Sequence, residues 1–172
     1  YFPMAIPEEN DEIFWFKPDM RGIIPLEEFH ISKNLRRLFN KHYFDLRING
    51  DFEGTIRSCA NREDTWISED IIKSYCKLNE LGYGYSFETW RNGKLVGGLY
   101  GVAIGKVFFG ESMFHTETDA SKIALIFLVE FMKENQFKLL DTQYINDHLK
   151  QFGAIESPNE EYELLLEDAL ES

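Results

Sequence analysis

The chain has 172 residues, 44% of them hydrophobic and 15% aromatic, and carries a net charge of −12. That length and apolar content fit one folded domain with a sizeable core and exclude a disordered chain. No apolar run approaches the roughly 20 residues of a membrane-spanning helix, and the acidic balance disfavours non-specific binding to nucleic acid.

Cys59 and Cys76 supply neither a disulfide framework nor a zinc site, and they read as reduced core residues of a cytosolic protein. The charge is uneven. Residues 156–172 carry seven acids and no base, whereas the stretch from Phe29 to Phe44 holds no acid and clusters Lys33, Arg36, Arg37 and Lys41. Such a cluster reads either as a solvated helix face or, more sharply, as a local phosphate-binding face on an acidic protein.

In chain order, residues 1–28 contain prolines and aromatics and read as an irregular segment laid over the core. Ser32 can cap a short helix with Leu35, Leu38 and Phe39 on one face. "YFDLRI" alternates as a strand, closed by Asn49-Gly50, and Asp51 can cap a helix through Cys59. "NREDTW" reads as a loop. Ser68 caps a helix presenting Ile71, Ile72, Tyr75 and Leu78, which Gly82 stops. "YSFETWRNGKLVGGLYGVAIGKVFFGESMF" holds three strands with turns at Asn92-Gly93 and Ile104-Gly105, an antiparallel meander. Thr118 or Asp119 supplies the cap of the next helix. Its core, "KIALIFLVEFM", is apolar almost all round and therefore buried, and Asn135 ends it. "FKLLDTQYI" reads as a strand and "NDHLKQF" as a short helix stopped by Gly153. A last helix carries Tyr162, Leu165, Leu166 and Ala169. The order defines an α+β domain with a mostly antiparallel centre.

Several constellations bear on chemistry. "GESMF", starting at Gly110, nearly matches the nucleophile elbow G-x-S-x-G, and Ser112, Asp141 and His148 follow in the Ser, Asp, His order. Phe114 replaces the second glycine, however, and hairpin strands surround the motif where a hydrolase needs parallel ones. His115, Glu117 and Asp119 alternate without a metal-ligand pattern, and His30, His42, His115 and His148 read as hydrogen-bonded structural groups. Gly97, Gly98, Gly101 and Gly105 do not lead into a helix, so neither a P-loop nor a dinucleotide-binding turn fits. The last constellation is Glu111 with Asp141 and Gln143. Alternation places Glu111 on a face with Val107, Phe109 and Met113, and Asp141 on a face with Gln143. A carboxylate among apolar neighbours is costly unless paired or used. Satisfied core groups and a small acidic site for a cationic substrate are about equally good readings of these residues.

The segments "FWFKPDMRGIIP", "FHISKNLRR", "CANREDTWI", "LVGGLYG", "FFGESMF", "DASKIAL" and "LLDTQ…NDHL…FGA" run in order from residue 14 to residue 154. Together they resemble the leucyl/phenylalanyl-tRNA–protein transferase family. The resemblance implies a GNAT-like acyltransferase fold, with a catalytic domain over residues 29–172 and residues 1–28 as the remnant of a smaller N-terminal domain. It implies transfer of Leu or Phe from aminoacyl-tRNA to the N-terminal Arg or Lys of a protein, creating a degradation signal. It also implies a cytoplasmic monomer that uses no cofactor, no coenzyme A and no metal, and has no membrane partner. Residue by residue, it implies reaction roles for Asp141 and Gln143, with Glu111 near the reacting centre and the basic N-terminal residue. Leu99, Phe108, Met113 and Leu125 match the apolar pocket for the transferred side chain. Trp66 matches an aromatic in the region that receives the terminal adenosine. Lys33, Arg36, Arg37 and Lys41 match the patch under the acceptor stem.

An aminoacyl ester is already activated, so direct aminolysis needs only approximation, a neutral amine and a stabilised oxyanion. The Gln143 carbonyl is expected to accept from the amine and Asp141 to stabilise the positive charge that develops there. Glu111 is expected to position donors or bind the cationic substrate. Two other readings stand beside this one: a GNAT-like N-acyltransferase using acyl-CoA, and a non-catalytic module that binds tRNA ends or basic N-termini.

Overall fold

Alternating residues fold into three long neighbouring strands at the centre of the molecule. Numbered in chain order, they are β5 (Gly84–Arg91), β6 (Lys94–Ile104) and β7 (Val107–His115). Asn92 and Gly93 turn the first hairpin in left-handed backbone and Gly105 turns the second. The structure, a computed structural model, adds β3 (Met20–Ile24), β4 (Asp45–Ile48), β8 (Leu139–Gln143) and β9 (Ile155–Pro158) to make a seven-stranded sheet in the order β4-β5-β6-β7-β8-β3-β9. A separate antiparallel pair joins β1 (Phe2–Ile6) to β2 (Glu12–Phe16). The backbone is described for residues 2–6, 12–16, 20–61, 67–143 and 147–171, and the side chains for 21–61, 67–143 and 149–171.

The reading of residues 1–28 as irregular is corrected by these strands. β3 lies between β8 and β9, so the sheet-forming chain begins by Met20. Residues Arg21, Gly22, Ile23 and Ile24 are all buried, which removes the polar alternation that marks a half-exposed strand.

Side-chain caps start three of the helices. Ser32, Asp51 and Ser68 accept from Leu35, Gly54 and Ile71 N–H groups at the heads of α1 (Lys33–Asn40), α2 (Phe52–Ala60) and α3 (Glu69–Glu80). The cap expected at Thr118 or Asp119 differs. Asp119 precedes α4 (Ala120–Glu134) in left-handed backbone, its side chain caps nothing, and it pairs with Lys122 at 3.6 Å instead. α5 (Asp147–Lys150) and α6 (Asn159–Leu170) complete the α-helices among the described residues.

α4, with α1 against it, covers one face of the sheet and buries Leu35, Phe87, Leu99, Phe108, Leu125 and Leu140. α2 and α3 cover the other face over Tyr100 and Val102, and α6 covers that same face over Val107 and Leu139. Gly97 lets α4 approach, because a Cβ there would stand 2.4 Å from that of Ala120. Among the described residues no helix is long and apolar enough to cross a membrane.

Among the described residues, one pairing in the main sheet is parallel. β7 and β8 run together from Val107↔Leu139 only as far as Phe109↔Asp141. Beyond that point β7 stays with β6 and β8 with β3, so the two strands part. Both bulge where they part. The β6 register passes from Tyr100↔Ser112 to Gly101↔Gly110, leaving Glu111 as the extra residue. The β3 register passes from Gly22↔Gln143 to Ile23↔Asp141, leaving Thr142. One extra residue reverses the alternation that follows it. Val107 and Phe109 therefore pack on the α6 side, whereas Met113 packs with Leu99 on the α4 side. This corrects the expectation that Met113 shares the face of Glu111.

Candidate active site at the parting of two strands

The parting opens β7 to solvent: Val107 and Phe108 are buried, while residues 109–114 are each half-buried. Gln143 ends β8 with φ +67°, a left-handed conformation that costs a non-glycine residue about 1 kcal/mol or more. Its side chain reaches across the opening. Nε2 donates to Glu111 Oε2 at 2.8 Å and to the Gly110 carbonyl at 3.2 Å. Both amide protons are thereby used, and Oε1 is left to accept.

Glu111 retains some surface as a residue, yet its carboxylate is enclosed by protein. That burial pushes its pKa up to about 7, against the pull of hydrogen bonds from Gln143 and from Tyr75 on α3. Burial, and then the Glu111 charge, hold the Tyr75 phenol far above its ordinary range. In the sequence Tyr75 is legible only as one position on an apolar helix face. The signal that points to it is its hydroxyl, which needs a partner when the ring is buried.

Asp141 lies behind this pair. Its Oδ2 accepts from Arg21 Nη2 and from the Tyr162 hydroxyl, each at 2.5 Å, and its Oδ1 accepts from the Gln143 backbone N–H at 2.7 Å. The Arg21 guanidinium also lies over the Tyr162 ring, 4.8 Å from its centroid. Asp141 is 0% exposed, Arg21 3% and Tyr162 5%. With both oxygens engaged and no surface, Asp141 cannot face a substrate amine. Its direct contact with the Gln143 side of the opening is through the Gln143 backbone N–H. Burial, followed by the Asp141 charge, pushes the Tyr162 phenol above its ordinary value. Arg21 and Tyr162 escape a sequence reading because they meet Asp141 across 120 and 21 residues of chain. The one hint is a lone arginine in the apolar run "MRGII".

Leu99, Phe108, Leu125 and Met113 come together in one apolar cluster on the α4 face. The first three are buried and Met113 is half-buried at the edge. The basic residues also come together. Lys33, Arg36, Arg37 and Lys41 line a groove of about 700 Å³ with Phe29, Ile31 and Asn40. Lys133 of α4 joins them, a cation that sequence reasoning missed because it depends on α1 packing against α4. Arg36 is partly neutralised by Glu130 at 3.0 Å. Trp66 and the His148 side chain lie outside the described residues. Among the described residues, no group of His, Cys, Asp and Glu is arranged to hold a metal ion.

A mostly antiparallel α+β sheet, parted where β7 and β8 pair in parallel, has the fold of a GNAT-like domain. In fold it is similar to a GCN5-related glucosamine N-acetyltransferase region of a fungal multi-domain beta-N-acetylglucosaminidase, with a TM-score of 0.55 at 9% identity over 83% of this chain and 20% of that one. It is similar also to a functionally unknown conserved protein of Staphylococcus epidermidis ATCC 12228, with a TM-score of 0.50 at 9% identity over 81% of this chain and 57% of that one. Residues 23–167 match the model of the leucyl/phenylalanyl-tRNA protein transferase family. A leucyl/phenylalanyl-tRNA–protein transferase of Paramagnetospirillum magneticum (strain ATCC 700264 / AMB-1) is 50% identical over 173 residues, covering 98% of this chain and 83% of that protein. The chain belongs to the leucyl/phenylalanyl-tRNA protein transferase family and is a transferase.

Proposed function

We propose that this chain moves Leu or Phe from its tRNA to the α-amine of a protein's N-terminal Arg or Lys, by direct aminolysis of the ester. Family membership supports this over transfer from acyl-CoA and over binding without transfer. The observation that carries the mechanism is the Gln143–Glu111 contact where β7 and β8 part.

The parting joins two chemically different sides. On the α4 side lies the apolar cluster of Leu99, Phe108, Leu125 and Met113, suited to a Leu or Phe side chain. On the other lie Glu111, Tyr75 and the polar network around Asp141. A donor held on the first side and an amine held on the second would meet between the strands, which is the approximation that aminolysis requires. The half-buried Met113 is the pocket residue through which the donor side chain would enter. Such a pocket separates Leu and Phe from smaller residues by only about 1–3 kcal/mol per methylene.

Glu111, with a pKa of about 7, is matched to taking the proton of an α-ammonium near neutrality. The Gln143 Oε1 accepts from the resulting amine and orients its lone pair. The nitrogen attacks the ester carbonyl, the bond to the ribose oxygen breaks, and a proton passes from nitrogen to that oxygen. Asp141 lies behind Gln143 and holds its backbone N–H. Lys33, Arg36, Arg37, Lys41 and Lys133 carry the acceptor-stem phosphates.

The test offers the protein a peptide beginning with Arg together with either labelled Phe-tRNA or labelled acetyl-CoA. Acid-stable label in the peptide from Phe-tRNA alone is the expected result. Label from acetyl-CoA alone would overturn the proposal.

A further inference from the structure

We propose that Tyr162, on the C-terminal helix α6, is a positioning residue for the transfer step, acting on Gln143 through Asp141 with Arg21 as its companion. Gln143 holds a left-handed backbone, φ +67°, that is costly for a non-glycine residue. What fixes it is the bond from its N–H to Asp141 Oδ1 at 2.7 Å. The Asp141 carboxylate must therefore hold one rotation, and it is the other oxygen that sets it. Tyr162 and Arg21 both donate to Oδ2, each at 2.5 Å, from α6 and β3 respectively. Neither can touch a substrate, since Tyr162 is 5% and Arg21 3% exposed. Their influence on the reaction runs through Asp141 to the Gln143 amide, whose Nε2 is aimed at Glu111 and Gly110. α6 thus packs on the sheet through Tyr162, Leu166 and Ala169 and also sets the geometry of the reacting centre.

The inference rests on Gln143 being the group that faces the amine. Tyr162→Phe is the informative variant, because it removes the hydroxyl and keeps the ring that packs beside Ile23 and under Arg21. It is expected to lower kcat for transfer about tenfold while the KM values for Phe-tRNA and for the Arg-peptide stay within about twofold. In a Gln143→Ala background the same substitution is expected to cost no further rate, since the group it positions is gone. A role in stability alone predicts a lowered melting temperature with an unchanged kcat, or the same fold-loss in both backgrounds, and either result overturns the proposal. If Tyr162→Phe does not fold, Arg21→Lys takes its place in the same pair of rate measurements, with the same outcomes for and against. Full activity of Gln143→Ala would remove the reading of the site itself. A normal kcat in Tyr162→Phe beside a crippled Gln143→Ala would remove only the role of Tyr162.

Discussion

Gln143 Nε2 donates to Glu111 Oε2 at 2.8 Å across the gap between two strands whose parallel pairing ends at Phe109↔Asp141. One partner sits in a strained backbone and the other carries a displaced pKa. Strain and a shifted pKa found together are more economically explained by a working site than by core packing.

Backbone strain at Gln143 allows stability and activity to be separated. Gln143→Gly and Gln143→Ala both delete the side-chain amide, so both are expected to transfer poorly. Glycine alone adopts φ +67° without cost, so Gln143→Gly should be more stable than Gln143→Ala by about 1 kcal/mol in urea denaturation. Equal midpoints would contradict the strain.

Glu111 makes stability and rate depend on pH in opposite senses. Its native pKa of about 7 lies above the ordinary glutamate value of 4.5, so the native state holds this proton more tightly than the unfolded chain does. That contribution is complete below the unfolded value and is lost as pH rises through the native one. Glu111→Gln should therefore gain stability relative to the parent between pH 4.5 and 7, by something on the order of 2–3 kcal/mol. Denaturant midpoints at both ends of that range measure it. Transfer by the parent protein should rise through the same range, as Glu111 becomes able to take the amine's proton, and Glu111→Gln should lose that rise.

The groove between α1 and α4 predicts a salt signature. Arg37→Ala and Lys133→Ala should each weaken tRNA binding without changing which amino acid is transferred. Each should also flatten the plot of log affinity against log salt by roughly 0.7–0.9 for every phosphate no longer neutralised. Filter binding across a salt series reads both effects. An unchanged slope for Lys133→Ala would remove that residue from the interface.

Gly101 opposes the Glu111 bulge, where a Cβ would come 2.2 Å from the Phe109 carbonyl oxygen and 2.7 Å from the Phe108 ring. Gly101→Ala must push β7 aside, at about 1–3 kcal/mol. A urea midpoint and a transfer rate that fall together are the expected outcome, because the bulge being displaced carries Glu111.

Much of the fold is legible in the sequence because its signals are local. Ser32, Asp51 and Ser68 cap their helices through bonds three residues long, and Asn92-Gly93 sets a hairpin by its own conformational preference. Glu111, Asp141 and Gln143 stand out as polar groups in apolar strands, and the structure brings them together. What escapes depends on pairing at a distance. β3 is buried on both faces and shows no alternation, and β9 is only four residues long. The bulges at Glu111 and Thr142 leave no mark on composition, yet the first reverses the face of Met113. Arg21, Tyr75 and Tyr162 come from β3, α3 and α6, and only the folded sheet makes them neighbours of Asp141 and Glu111.

Single-turnover transfer from labelled Phe-tRNA to an Arg-peptide, followed in the parent protein and in Gln143→Ala, tests the central role of Gln143 most directly. The parent is expected to move label from the ester to the peptide amide, and Gln143→Ala to do so about 10²–10³-fold more slowly with undiminished tRNA binding. Transfer at the parental rate in Gln143→Ala, or hydrolysis to free Phe in place of peptide labelling by the parent, would contradict that role.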